Sequence, residues 1–201
     1  MLASGSFQTT GALVAGISQP SFSAFLPKVL DAIISLTPRH ISFPNTQQKQ
    51  QETKQGFYQI NGFLHMLGAI GCTHVRIVPH AATEHLYRNR KHTHVQAIVD
   101  HRGLITNIVT KYPRRVHDSF IFRHSTINQH FQDGRYGNGL FVADQGYGIK
   151  PWIMTPLANP STAAERAYNE AHCRTRTIVE RTFGIQKSSI RCLDIARSSL
   201  L

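Results

Sequence analysis

Only 11 of the 201 residues are acidic, and two of these carboxylates sit where chemistry is possible. Asp144 ends the apolar run Gly139-Leu140-Phe141-Val142-Ala143, where its side chain would project beside the edge of a sheet. Glu180 follows 36 positions later (180 − 144), in a helical pattern crowded with Arg174, Arg176, Arg181 and Lys187, with Arg191 beyond. Oxygen ligands from a strand end and a facing helix suit a hard divalent cation, Mg²⁺ or Mn²⁺. Such an ion activates water and stabilises a leaving oxygen, while the arginines and Lys187 contact the phosphates of a nucleic acid. Simpler roles stay open. Asp144 could be a turn-former ahead of Gly146, Glu180 one more surface ion pair worth under ~1 kcal/mol, and the arginines a solvated basic face.

The stretch Leu67–Val78 is strand-like, yet it carries the polar break Gly71-Cys72-Thr73-His74 at its centre. Glycine weakens a strand interior and marks a bulge or a close backbone approach. Cys72 and His74, two apart, share one face of that strand. His172 adjoins Cys173, Cys192 is distant, and His92 and His94 read as loop and strand-edge polar residues. No Cys-x-x-Cys pair exists, so these residues are expected to be buried cysteines and strand-edge polar histidines, not zinc ligands. Trp152 and Met154 read as packing residues.

The charge is lopsided. Twenty-two Lys and Arg against 11 Asp and Glu leave +11, with 12 His in addition. That balance favours a polyanionic partner through long-range attraction and counterion release. A hydrophobic content of 41% with 16% charged residues belongs to a globular chain, not a disordered tail. Three widely spaced cysteines are no disulfide framework and point to a reducing compartment. No apolar run approaches the ~20 residues needed to span a bilayer, and Met1-Leu2-Ala3 begins no charged leader ahead of an apolar run.

The elements that must position these residues can be outlined. Residues 1–43 have helical spacing (Phe22, Phe25, Leu26, Val29, Leu30, Ile33), with Pro20 in a first turn and Gly16 at a turn between two helices. This is a helical hairpin or a helix-turn-helix, which Pro27 should interrupt. Residues 44–62 are polar and Gln-rich, a linker or an exposed helix start. Within 63–201, His94–Asp100 and Leu104–Pro113 are β-branched strands about the turn Asp100-His101-Arg102-Gly103. Residues 117–131 read as one amphipathic helix and 139–144 as a short strand. A long final helix is capped by Ser161 or Thr162, with Glu165 in its first turns. The order is that of an α/β fold around a mixed sheet.

The segments GFLHMLGAIGCTHVRI, LYRNRKHTHVQAIVD, VHDSFIFRHS and the whole block from Gly139 to Asp194 resemble the PIF/Harbinger transposases, DDE superfamily endonucleases. The resemblance covers nearly the whole chain. It implies an RNase H-like mixed sheet flanked by helices, with a three-carboxylate site that uses Mg²⁺ or Mn²⁺ to cleave DNA. Asp144 in ADQGY matches the family's second catalytic Asp, and Glu180 in VERTFG its Glu. The first Asp belongs in a motif that usually reads Gly-Ala-Ile-Asp-(Gly or Cys)-Thr-His-Val, and here that position holds Gly71. Asp144 and Glu180 would then be left to hold metal without their third partner, unless Asp100 or Asp118 substitutes. Two functions follow: a transposase-derived nuclease with impaired hydrolysis, or a non-catalytic DNA-binding or protein-adaptor remnant. The resemblance also implies a separate Myb/SANT-like DNA-binding partner and a nuclear and cytoplasmic location. Relative to the family the chain is expected to stop short at its C-terminus.

Overall fold

The computed structural model describes residues 8–76, 92–113, 116–190 and 193. Of these, 42–183 form one compact unit, and 8–41 with the described residues from 184 onward form a second. The second unit contains α1 (Gln8–Val14), α2 (Gln19–Ser35) and α3 (Thr37–His40). Ser18 caps α2, and Gly16, with φ +66°, makes the turn before it. The helix continues through Pro27, contrary to the expected interruption. Pro27 has no N–H, so one turn of α2 lacks its backbone bond.

The larger unit is built on five strands: β1 (Met66–Arg76), β2 (His92–Val99), β3 (Ile105–Pro113), β4 (Leu140–Val142) and β5 (Ile153–Met154). Their order across the sheet is β3-β2-β1-β4-β5. The pairs β1–β2 and β2–β3 are antiparallel, whereas β4 is parallel to β1 and β5 to β4. This is a mixed α/β sheet of RNase H-like type, as expected. The β2–β3 hairpin turns at Asp100–Gly103, where Gly103 adopts φ +80°, a value that disfavours a side chain.

Each face of the sheet is covered. On one side, α4 (Gln47–Asn61) and α7 (Ala163–Ser189) bring Phe57, Ile178, Val179 and Phe183 onto Ala69, Ala97, Val99 and Val142. On the other, α5 (Asp118–Arg123) and α6 (Thr126–Gln132) bring Phe122, Ile127 and Phe131 onto Ile70, Ile98 and Phe141. Of the two readings of 44–62, the helix start is the one observed: it contains α4, whose Phe57 is fully buried and not exposed. One sequence expectation is corrected here. The supposed single helix over 117–131 breaks at His124-Ser125, because the Ser125 hydroxyl caps α6 by accepting from the Asn128 N–H.

α7 carries Glu180, so its register matters. Thr162 Oγ1 accepts from the Glu165 N–H, and Glu165 Oε2 accepts from the N–H groups of Ser161 and Thr162, a reciprocal capping box. These bonds hold the Glu165 carboxyl down at about 2. A carboxylate lowered on folding stabilises the fold above its unfolded value and loses that effect as pH falls through its folded value. Glu165→Gln is therefore expected to lower helix stability by a constant amount above pH ~4.5, shrinking to nothing near pH 2. Denaturation of both chains across that range, followed by far-ultraviolet circular dichroism, checks it.

Candidate functional site

Residue 71 lies on β1 opposite Ala97 of β2 and points at α7. A Cβ placed on Gly71 would stand 3.0 Å from both γ-carbons of Val179 and 3.2 Å from Cε2 of Phe183. The close backbone approach expected of this glycine is thus to α7, at the residue preceding Glu180. Because β1 and β4 are parallel with Ala69 beside Val142, Gly71 and Asp144 each lie two residues further along.

Asp144 lies one residue beyond β4, after Ala143, and caps a 3-10 turn, Gln145–Tyr147, by accepting the Gly146 N–H at 2.9 Å. The turn-forming role is therefore real, and it leaves the second carboxylate oxygen for other partners. Burial pushes the Asp144 carboxyl above its usual range, and the negative charges of Asp118 and Glu180 add to this. The Gly146 bond and the Arg176 guanidinium pull the other way. Asp144 thus sits in the field of two other carboxylates and one arginine. Glu180 is exposed and paired with Arg176 one turn earlier, the surface ion pair that the sequence left open.

The other basic residues are spread along α7. Arg174 is exposed and paired with Glu170, Arg181 is exposed, and Lys187 is partly exposed. Arg191 lies outside the described residues. His172, not singled out as a site residue, is fully buried in α7 and donates from Nε2 to the Met154 carbonyl at 3.1 Å, tying α7 to β5 beside Asp144. Burial keeps its imidazole below the ordinary value.

Asp100 is not placed beside Gly71, and Asp118 stands on the other face of the sheet, where it contacts Cys72 while its charge reaches Asp144. Asp100 pairs with the Arg102 guanidinium, and Oδ1 accepts the N–H groups of Arg102 and Leu104. It serves the hairpin turn, about three residues (~10 Å) down the sheet from Gly71. Asp118 begins α5 and is 3.0 Å from Nε2 of His94, which belongs to the opposite face of the sheet from Gly71.

That opposite face holds a polar cluster the sequence did not reveal. Cys72 pairs with Gln96, and His74 with His94, across β1 and β2. Gln96 donates to the Tyr147 hydroxyl at 3.0 Å and to the Asp118 carbonyl at 3.2 Å. Cys72 Sγ shares a hydrogen bond of 3.2 Å with the same hydroxyl. Burial and the Asp118 charge push the Cys72 thiol up to about 12. Burial alone would raise Asp118 too, but the hydrogen bond and charge of His94, with lesser help from Cys72 and His74, hold its carboxyl below the ordinary value. The alternation Thr93-His94-Val95-Gln96 was the available signal: two polar residues on one face of an interior strand need partners inside the protein.

A β3-β2-β1-β4-β5 sheet with an acidic residue after β4 and another on the following long helix defines the DDE class of nuclease fold. The chain belongs to the DDE superfamily endonucleases, whose family model matches residues 70–200. It is 33% identical over 200 residues to the cattle (Bos taurus) and human (Homo sapiens) proteins named "Putative nuclease HARBI1", covering 98% of this chain and 57% of theirs. It is 23% identical over 177 residues to "Protein ALP1-like" of Arabidopsis thaliana, covering 78% of this chain and 43% of that one. The chain thus spans little more than half the length of the two mammalian relatives and less than half that of the plant one. No solved structure matches it. The Harbinger-type ancestry read from the motifs agrees with these relatives.

Endonucleases of this superfamily use divalent metal ions. The donors around Asp144 fit such a pair poorly. Two ions ~3.5–4 Å apart need a carboxylate between them, residue 71 supplies no oxygen, and Glu180 is engaged by Arg176. Asp144 and Glu180 alone are short of the three carboxylates that the two-ion arrangement calls for.

Proposed function

We propose that this chain is a DNA-binding nuclease module of transposase descent whose own phosphodiester hydrolysis is impaired. One observation carries this reading: Gly71 occupies the β1 position that faces α7 at Val179, beside Glu180 and level with Asp144, and it has no side chain. Asp144 and Glu180 would act as the remaining metal-holding pair. Arg174, Arg176, Arg181 and Lys187 on α7, with Arg191, would contact the DNA backbone. The net charge of +11 supports that role. Sequence choice would fall to a separate Myb/SANT-like partner, and the protein would work in the nucleus with a cytoplasmic pool. No described helix is long and apolar enough to cross a membrane.

The DNA half of the proposal is tested by a salt titration. Duplex DNA of unrelated sequences should bind about equally, with log K falling against log salt by about 0.9 for each phosphate contacted. Arg181→Ala is expected to reduce that slope by about 1. A titration that stays flat between low and physiological salt would remove the electrostatic reading.

A further inference from the structure

We propose that Cys72, His94 and Asp118 form a zinc site on the face of the sheet opposite Gly71, tying β1 and β2 to the start of α5. One donor atom from each of the three lies within 4.8 Å of the others. Ligand atoms around a tetrahedral zinc, at ~2.0–2.3 Å from the ion, are about 3.3–3.8 Å apart, so small side-chain shifts close the site. A water supplies the fourth ligand. A thiolate and an imidazole with a single carboxylate suit zinc, whereas magnesium and calcium prefer oxygen alone.

Hydrogen-bond geometry at His94 is the main reason. Its Nδ1 is 2.9 Å from the Val116 carbonyl. A carbonyl only accepts, so Nδ1 carries the hydrogen. In the neutral ring Nε2 is then a lone pair, and it faces Asp118 Oδ1 at 3.0 Å. Two acceptors at that distance need a positive charge between them, either a second ring proton or a metal ion. A histidine that donates its other N–H to a backbone carbonyl is also the usual arrangement of a metal ligand, since that bond fixes ring tautomer and orientation. His94 is only 4% exposed and so is held in place.

Cys72 supplies the third donor and the specificity. Its sulfur is held by the Tyr147 hydroxyl at 3.2 Å and more loosely by Gln96 at 3.7 Å. Both can donate to sulfur, and donors around a thiolate stabilise it as a ligand. A bound zinc ion deprotonates a coordinating thiol outright. The ion would thus replace the proton on Cys72 and the extra charge needed between His94 and Asp118. None of these three residues is part of the Asp144 and Glu180 pair, and although the Asp118 charge reaches Asp144, variants of Cys72 and His94 separate the two sites.

The probe is Co²⁺, added to the chelator-treated, reduced full chain. A thiolate-to-cobalt charge-transfer band in the near ultraviolet and the visible bands of tetrahedral cobalt are expected, both abolished by added Zn²⁺. Cys72→Ser should lose the charge-transfer band, and His94→Gln should weaken cobalt binding at least tenfold. Asp144→Ala, Glu180→Gln and the double variant Cys173→Ser/Cys192→Ser should keep the band. Circular dichroism confirms that each variant is folded, and zinc should raise the melting temperature of the parent chain but not of His94→Gln. Absence of the band in the folded parent chain, or its survival in Cys72→Ser, would overturn the proposal and leave the cluster as an aspartate–imidazolium pair.

Discussion

Gly71→Asp is expected to raise Mg²⁺- or Mn²⁺-dependent nicking of supercoiled plasmid by about 10²–10³-fold over the unmodified chain, the usual scale for restoring one electrostatic or positioning group. The new carboxylate would project from β1 toward α7, where Asp144 and Glu180 supply the remaining oxygens. The direction of the Cβ also sets a cost. At 3.0 Å from the Val179 γ-carbons and 3.2 Å from Phe183, the added side chain forces its neighbours to give way. Overpacking of this kind costs about 1–3 kcal/mol, a fall in melting temperature of about 2–12 °C in a domain of this size. Val179→Ala added to Gly71→Asp removes both γ-carbons and should recover part of that fall while keeping the gain in nicking. A folded double variant with no gain would mean that residue 71 is not the missing ligand.

Phe141→Ala is expected to be the most damaging single substitution for the fold. Phe141 is fully buried in β4, with its ring centroid 4.7 Å from Phe131 and 5.8 Å from both Phe43 and Phe122. Truncating a buried phenylalanine costs about 3–5 kcal/mol, because the lost contacts leave a cavity that the neighbours only partly fill. The melting temperature should drop by about 6–20 °C. The strand places Asp144 three residues later, so a loosened β4 also loosens the candidate site. Urea denaturation of both chains measures the effect, and a change under 1 kcal/mol would show that this cluster is not the core.

Much of the architecture was legible because local rules and tertiary context agree. The β-branched runs on either side of Asp100–Gly103 form the expected hairpin, and Thr162 with Glu165 makes the expected capping box. The placement of Asp144 after β4 followed from the apolar run that precedes it. α4 was legible only as one of two alternatives, and its burial not at all, because a single large apolar residue, Phe57, anchors a helix whose sequence is otherwise mostly polar. Gln and Lys are good helix formers, but they leave little apolar period to read. The break at Ser125 was missed because the amphipathic pattern continues across it, while a hydroxyl cap ends the helix locally.

The candidate site was legible in part. Gly71 stood out only against a family motif, since composition and spacing assign it no role beyond close approach. His94 was expected at a strand edge, yet β2 lies between β1 and β3, and the residue is buried. Its partners, Asp118 and the Val116 carbonyl, come from a segment more than twenty residues later, and no single-chain periodicity reports such a contact. The pairing of Arg176 with Glu180 was open from their four-residue spacing, and it matters because a guanidinium on Glu180 competes with any cation there.

The most direct measurement concerns the unmodified chain itself. Supercoiled plasmid is incubated with it in Mg²⁺ and in Mn²⁺, beside Asp144→Ala prepared in the same way. With no carboxylate at residue 71, both proteins are expected to nick at the background rate and to be indistinguishable. Robust metal-dependent cleavage by the unmodified chain, abolished in Asp144→Ala, would contradict the claim that Gly71 disables the site.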